Sequence, residues 1–160
     1  MMKKKTLRKK TLRKVSDEQM IMDYLYSNYS VTTSEYSMDW MIMDKFSGGI
    51  LSKDKFLIVM NKMFFRMNSN NIINDWFNNG ITIMEDKVNN HLKRYKLSNG
   101  NKPLVWVINN SNGKEFYNEV VIKELMTLLP NHIHEKKIRV IFNRWLTNAK
   151  VKATEKLIGC

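Results

Sequence analysis

One cysteine, Cys160, stands in 160 residues, so no internal disulfide framework can form and the chain suits a reducing compartment. Apolar runs are short. None approaches the roughly 20 residues that a membrane-spanning helix requires. The basic start at Lys3 runs into Ser16-Asp17-Glu18 without the apolar core of a secretory signal. The expectation is an intracellular protein, cytoplasmic or nucleoid/nuclear, neither secreted nor membrane-inserted. Gly48-Gly49 opens no phosphate-binding loop or dinucleotide fingerprint, and no Ser-His-Asp or Cys-His nucleophile pattern is present. His132-Ile-His134 invites a zinc reading, but zinc sites need four ligands and there is no second clustered pair.

Acidic residues are also scarce. Lys and Arg number 27 against 15 Asp and Glu, a net charge of +12. The excess is uneven. Lys3, Lys4, Lys5, Arg8, Lys9, Lys10, Arg13 and Lys14 put eight cations and no anion into residues 1–14, whereas 15–60 hold seven acids against three lysines. Like charges repel and stay solvated, so 1–14 is expected to be a disordered arm preceding a single globular domain over 15–160. A basic tail with a basic C-terminal half is the footprint of a phosphate-backbone binder, though an anionic membrane surface or an acidic protein could use the same charge.

Local signals divide the rest of the chain. Ser16 followed by acids predicts a capped helix to about Asn28. Ser34-Glu35 predicts a second helix to about Phe46, broken by Ser47-Gly48-Gly49. Residues 56–67 are apolar nearly all round and are expected to be buried. A helix is expected over 88–97 and a loop over 98–103. Leu104–Ile108 reads as a strand buried on both faces, and a helix from about 114 should end before Pro130. The last helix, about 135–157, carries Ile138, Ile141, Phe142, Trp145 and Ala149 at i, i+3, i+4, i+7 spacing. Lys136, Arg139, Asn143 and Lys150 share another side of it, a stripe suited to a phosphate backbone.

The segment 72–87 carries the chemical argument. Asn79-Gly80 between apolar runs is a strong signal for a type I′ hairpin, predicting that 71–77 pairs with 81–86. Asp75 and Glu85 would then come from adjacent strands, with Lys87 on the face of Glu85. Two carboxylates can hold Mg²⁺ or Mn²⁺, the main-chain carbonyl of Asp86 can add an oxygen ligand, and Lys87 can contact the scissile phosphate or attacking water.

Asn74-Asp75, the Asn-Gly turn and Ile-Thr-Ile-Met-Glu85-Asp-Lys87 resemble the PD-(D/E)xK nuclease superfamily, in particular the small phage endonucleases that resolve four-way DNA junctions. Asn74 stands where that pattern has proline. The resemblance implies a metal-dependent endonuclease acting on DNA, with branched DNA a candidate substrate. It also implies an extra acid from an upstream helix, for which Glu35 is the candidate with Asp39 or Glu18 as alternatives, and a homodimer if two strands are cut. The expected fold is α+β, a small mixed sheet with a central hairpin flanked by helices as in restriction endonucleases, the alternative being a mainly helical chain. The competing function is a non-catalytic basic nucleic-acid-binding protein such as a nucleoprotein, coat or ribosome component. A helical protein-interaction module is the third reading.

Overall fold

A computed structural model of the chain describes residues 16–99 and 106–158. The arm at 1–14, the inner part of the 98–103 loop and Cys160 lie outside those residues. The described elements are α1 (Asp17–Asn28), β1 (Tyr29–Ser34), β2 (Ser37–Asp44), β3 (Ile50–Leu51), α2 (Lys53–Met63), α3 (Ser69–Leu92), β4 (Tyr95–Asn99), β5 (Trp106–Asn110), β6 (Glu115–Phe116), α4 (Asn118–Leu128) and α5 (Glu135–Ile158). The strands form two three-stranded sheets, β1-β2-β3 and β4-β5-β6. The class is α+β as expected, but the pairings β2/β3, β4/β5 and β5/β6 are antiparallel, not a mixed sheet. No described helix is long and apolar enough to cross a membrane.

The chain divides into two compact units. One comprises Met1–Val31 with Trp40–Gly80, the other Thr32–Asp39 with Ile81–Cys160. The core of the first is built from Ile21, Leu25, Ile42, Phe56, Met60, Ile73 and Trp76, all at most 3% exposed. Phe56 anchors it, its ring 4.8 Å from Tyr29 and 6.1 Å from Trp76. The core of the second holds Val88, Leu92, Ile108, Val121, Leu125, Ile138 and Phe142.

Helix α1 begins where its cap predicts: Ser16 Oγ accepts the Gln19 N–H at 3.1 Å, with Asp17 and Glu18 in the positive first turn. The helix expected over 34–46 is instead the hairpin of β1 and β2. Val31-Thr32-Thr33 are β-branched and buried, which favours strand. Ser34 Oγ accepts the Tyr36 N–H at 3.1 Å, so its capping hydroxyl closes a turn rather than a helix. The break at 47–49 is in place, with Gly48 at φ 75° and Asp44 Oδ1 accepting the Phe46 N–H at 2.8 Å.

The hairpin expected over 71–86 is not formed, because Ser69–Leu92 is one continuous helix, α3. Ile73, Trp76, Phe77, Val88 and Leu92 are buried and, at about 100° per residue, fall on one side of the helix. Gly80 stands mid-helix, where glycine costs about 1 kcal/mol relative to alanine. Its role there is close approach. A Cβ at position 80 would lie 2.5 Å from Val31 Cγ2. The helix expected over 88–97 is the end of α3 followed by β4. Residues 56–67 are not wholly buried, since α2 sinks Phe56 and Met60 while Ile58, Val59, Met63 and Phe65 are exposed. Of the strand expected over 104–108, Leu104 and Val105 lie outside the described residues; in β5 Ile108 is buried and its neighbours on both faces are partly buried.

Candidate nucleic-acid interface

The basic helix α5 is set in place by the histidine pair that precedes it. Thr32 Oγ1 lies 2.8 Å from His132 Nδ1 and 3.1 Å from its carbonyl oxygen. The His134 N–H donates to Thr33 Oγ1, and the Lys136 N–H donates to His134 Nδ1 at 3.1 Å, closing the first turn of α5. Thr32 and Thr33 are buried, so these bonds satisfy polar groups that would otherwise be costly. Burial pushes the His132 ring below its usual range, favouring the neutral form. His132 and His134 therefore join α5 to the end of β1. Among the described residues no group of three or more His, Cys, Asp or Glu is placed to hold a metal ion.

The predicted stripe on α5 is only partly free. Arg139 is engaged by both oxygens of Glu119 at 2.8 Å and by Glu135 Oε1 at 2.8 Å, so its guanidinium is neutralised within the fold. Lys136 Nζ donates to the Glu35 carbonyl at 3.3 Å. Asn143 and Lys150 are exposed. A face the sequence reading missed runs beside them through Lys137, Arg144, Asn148 and Lys152, at i, i+7, i+11 and i+15. Lys137 Nζ donates to the Met38 carbonyl at 2.8 Å. Burial holds its pKa down and repulsion from Arg144 adds to this, while Glu85 and Asp39 oppose it. The periodicity of 137, 144, 148 and 152 was visible in the sequence. Which of two neighbouring basic faces meets the rest of the fold was not.

Between α5 and the C-terminal part of α3 lies a groove of about 300 Å³ lined by Glu85, Asn89, Ile141, Arg144, Trp145, Asn148, Ala149 and Lys152. Fully buried Phe142 braces the half-buried Trp145, with ring centroids 5.8 Å apart. Two cations, two amides and an indole thus line one small space against one carboxylate.

A second polar cluster is structural. Glu124 Oε2 receives the Tyr95 hydroxyl and lies 2.9 Å from His91 Nε2, tying β4, α3 and α4 together. Burial alone raises the Glu124 pKa, but the bonds from Tyr95 and His91 outweigh it and hold the carboxyl below its usual range. Burial and the same bond push Tyr95 up to about 12.

The nuclease constellation is not brought together. Ten helical residues separate Asp75 from Glu85, a rise of about 15 Å, too far to share one cation. Lys87 lies about 200° around the helix from Glu85, on the opposite side. The carbonyl of Asp86 is turned along the helix toward the N–H four residues on and is no free oxygen ligand. Glu35 sits in the β1–β2 turn, not on a helix. These residues do not fit a Mg²⁺ or Mn²⁺ site. Of the predicted catalytic set, Glu85 lines a cavity, the groove beside α5. No family model, curated protein or solved structure matches the chain, and its functional reading rests on its own residues.

Proposed function

We propose that the protein binds nucleic acid through phosphate contacts. The observation that carries this reading is the excess of 27 cations over 15 anions, eight of the cations falling within residues 1–14. Exposed Arg144, Lys150 and Lys152 on α5 add a folded basic surface. Such an excess raises encounter rates with polyanions and gives binding that weakens steeply with salt. The endonuclease reading keeps only its resemblance, since Asp75 and Glu85 are spread along one helix and Glu35 lies in a turn.

The test is equilibrium binding of labelled single-stranded and duplex DNA and RNA across a salt titration, with Mg²⁺ and with EDTA. The logarithm of affinity should fall linearly with the logarithm of salt, by roughly 0.9 per duplex phosphate contacted and 0.7 per single-strand phosphate. Replacing the eight arm cations by Gln should lower that slope by several units. Failure to bind at low salt would refute the proposal. Metal-dependent cutting lost in Glu85→Ala would restore the endonuclease.

A further inference from the structure

We infer that the groove between α3 and α5 holds one unpaired nucleotide of a bound single strand, with its base on Trp145 and its phosphate at Arg144 or Lys152. This rests on the reading of the chain as a nucleic-acid binder and says where, and in what form, the strand is held.

The argument is from chemistry and size. Arg144 and Lys152 repel cationic ligands, and an apolar ligand would use neither those cations nor the amides of Asn89 and Asn148. A bare phosphate would use the cations and leave the indole idle. A nucleotide uses all of them, since every base offers a π-face for stacking and its phosphate pairs with Arg or Lys. A space of about 300 Å³ lies at the small end of ligand pockets, fitting one nucleotide rather than a run of them. Glu85 then acquires a role that a bare phosphate would not give it. A carboxylate can only accept hydrogen bonds, and the cytosine amino group is the donor it reads best. Thymine offers no exocyclic amine. The groove should therefore prefer cytosine to thymine. A free nucleoside monophosphate carries the same chemistry. The net charge of +12 favours a strand, because one phosphate has no use for most of it.

The experiment measures full-length protein binding to short labelled oligo(dC), oligo(dT) and duplex DNA, with unlabelled CMP as competitor. Trp145→Leu should weaken single-strand binding on the order of tenfold or more and leave duplex binding within about twofold. Lys152→Gln should weaken oligo(dC) more than Arg139→Gln does, although each removes one positive charge, because Arg139 is already neutralised by Glu119 and Glu135. Glu85→Gln should erase the preference for oligo(dC) over oligo(dT). Lys152→Gln, Arg139→Gln and Glu85→Gln decide the matter if Trp145→Leu fails to fold. Wild type that binds oligonucleotides while Lys152→Gln equals Arg139→Gln and Glu85→Gln changes nothing would overturn the groove and leave the proposed function standing. Absence of oligonucleotide binding by wild type would overturn both. CMP competing at concentrations as low as the oligonucleotide would make the occupant a free nucleotide and overturn the strand.

Discussion

Alanine at position 80 distinguishes the helix from the hairpin that the same residues suggest. An ideal Cβ there stands 2.5 Å from Val31 Cγ2 and 3.2 Å from Val31 Cβ. Carbon atoms are comfortable at roughly 3.5–4.0 Å, so the added methyl intrudes by about 1 Å. Overpacking of this kind costs about 1–3 kcal/mol. Helix propensity returns up to about 1 kcal/mol, leaving Gly80→Ala destabilising by about 0–2 kcal/mol. Val31 is 4% exposed, and Val31→Ala removes two buried methyl groups, a loss of about 2 kcal/mol. The double substitution should be better than the sum by about 1–2 kcal/mol, because the new methyl enters the space the old ones vacated. Urea unfolding followed by far-ultraviolet circular dichroism measures all four corners of the cycle, and the coupling corresponds to about 2–4 °C per kcal/mol in Tm for a chain of this size. A type I′ turn at Asn79-Gly80 predicts something else: the alanine penalty would come from positive φ, and trimming Val31 would give no relief. Additivity within about 0.5 kcal/mol would refute the close packing of Gly80 on Val31.

Two further expectations concern titrating groups in the unit containing α5. Glu124→Gln removes the charge shared by Tyr95 and His91 and should lower stability near neutral pH by about 1 kcal/mol, a value reduced by the partial exposure of Glu124. Because its folded-state pKa lies below the ordinary value of 4.5, the gap between wild type and variant should hold above that pH and narrow as the pH falls through the folded value. A gap independent of pH down to strong acid would show that the carboxylate charge contributes nothing. His132 has its pKa depressed from 6.5 by burial, so its contribution to stability is complete above 6.5 and is lost as the pH drops toward the folded value. His132→Gln should flatten the pH dependence of stability in that window, and proton resonances of the His132 ring should titrate with a midpoint below 6.5. A midpoint at or above 6.5 would contradict the buried contact with Thr32.

The sequence by itself determined features whose causes lie within a few residues. Ser16 caps α1 because its hydroxyl reaches the Gln19 N–H one turn on. Pro130 ends the region of α4, and the 3.6-residue spacing of Ile138, Ile141 and Phe142 specifies the buried side of α5. The α+β class, the break at 47–49 and the charge excess were legible for the same reason. Tertiary structure decided what those local signals leave open. Asn79-Gly80 is equally a turn and a helix that another chain segment crosses closely, and Val31, 49 residues earlier, selects the helix. Ser34 can close a turn as readily as cap a helix, and the buried Val31-Thr32-Thr33 run settles it. The candidate site follows from those choices. Once 69–92 is one helix, Asp75, Glu85 and Lys87 point to different places along it. Glu85, Arg144 and Lys152 line one groove only because the fold brings parts of α3 and α5 together, a proximity that residues some 60 positions apart do not announce.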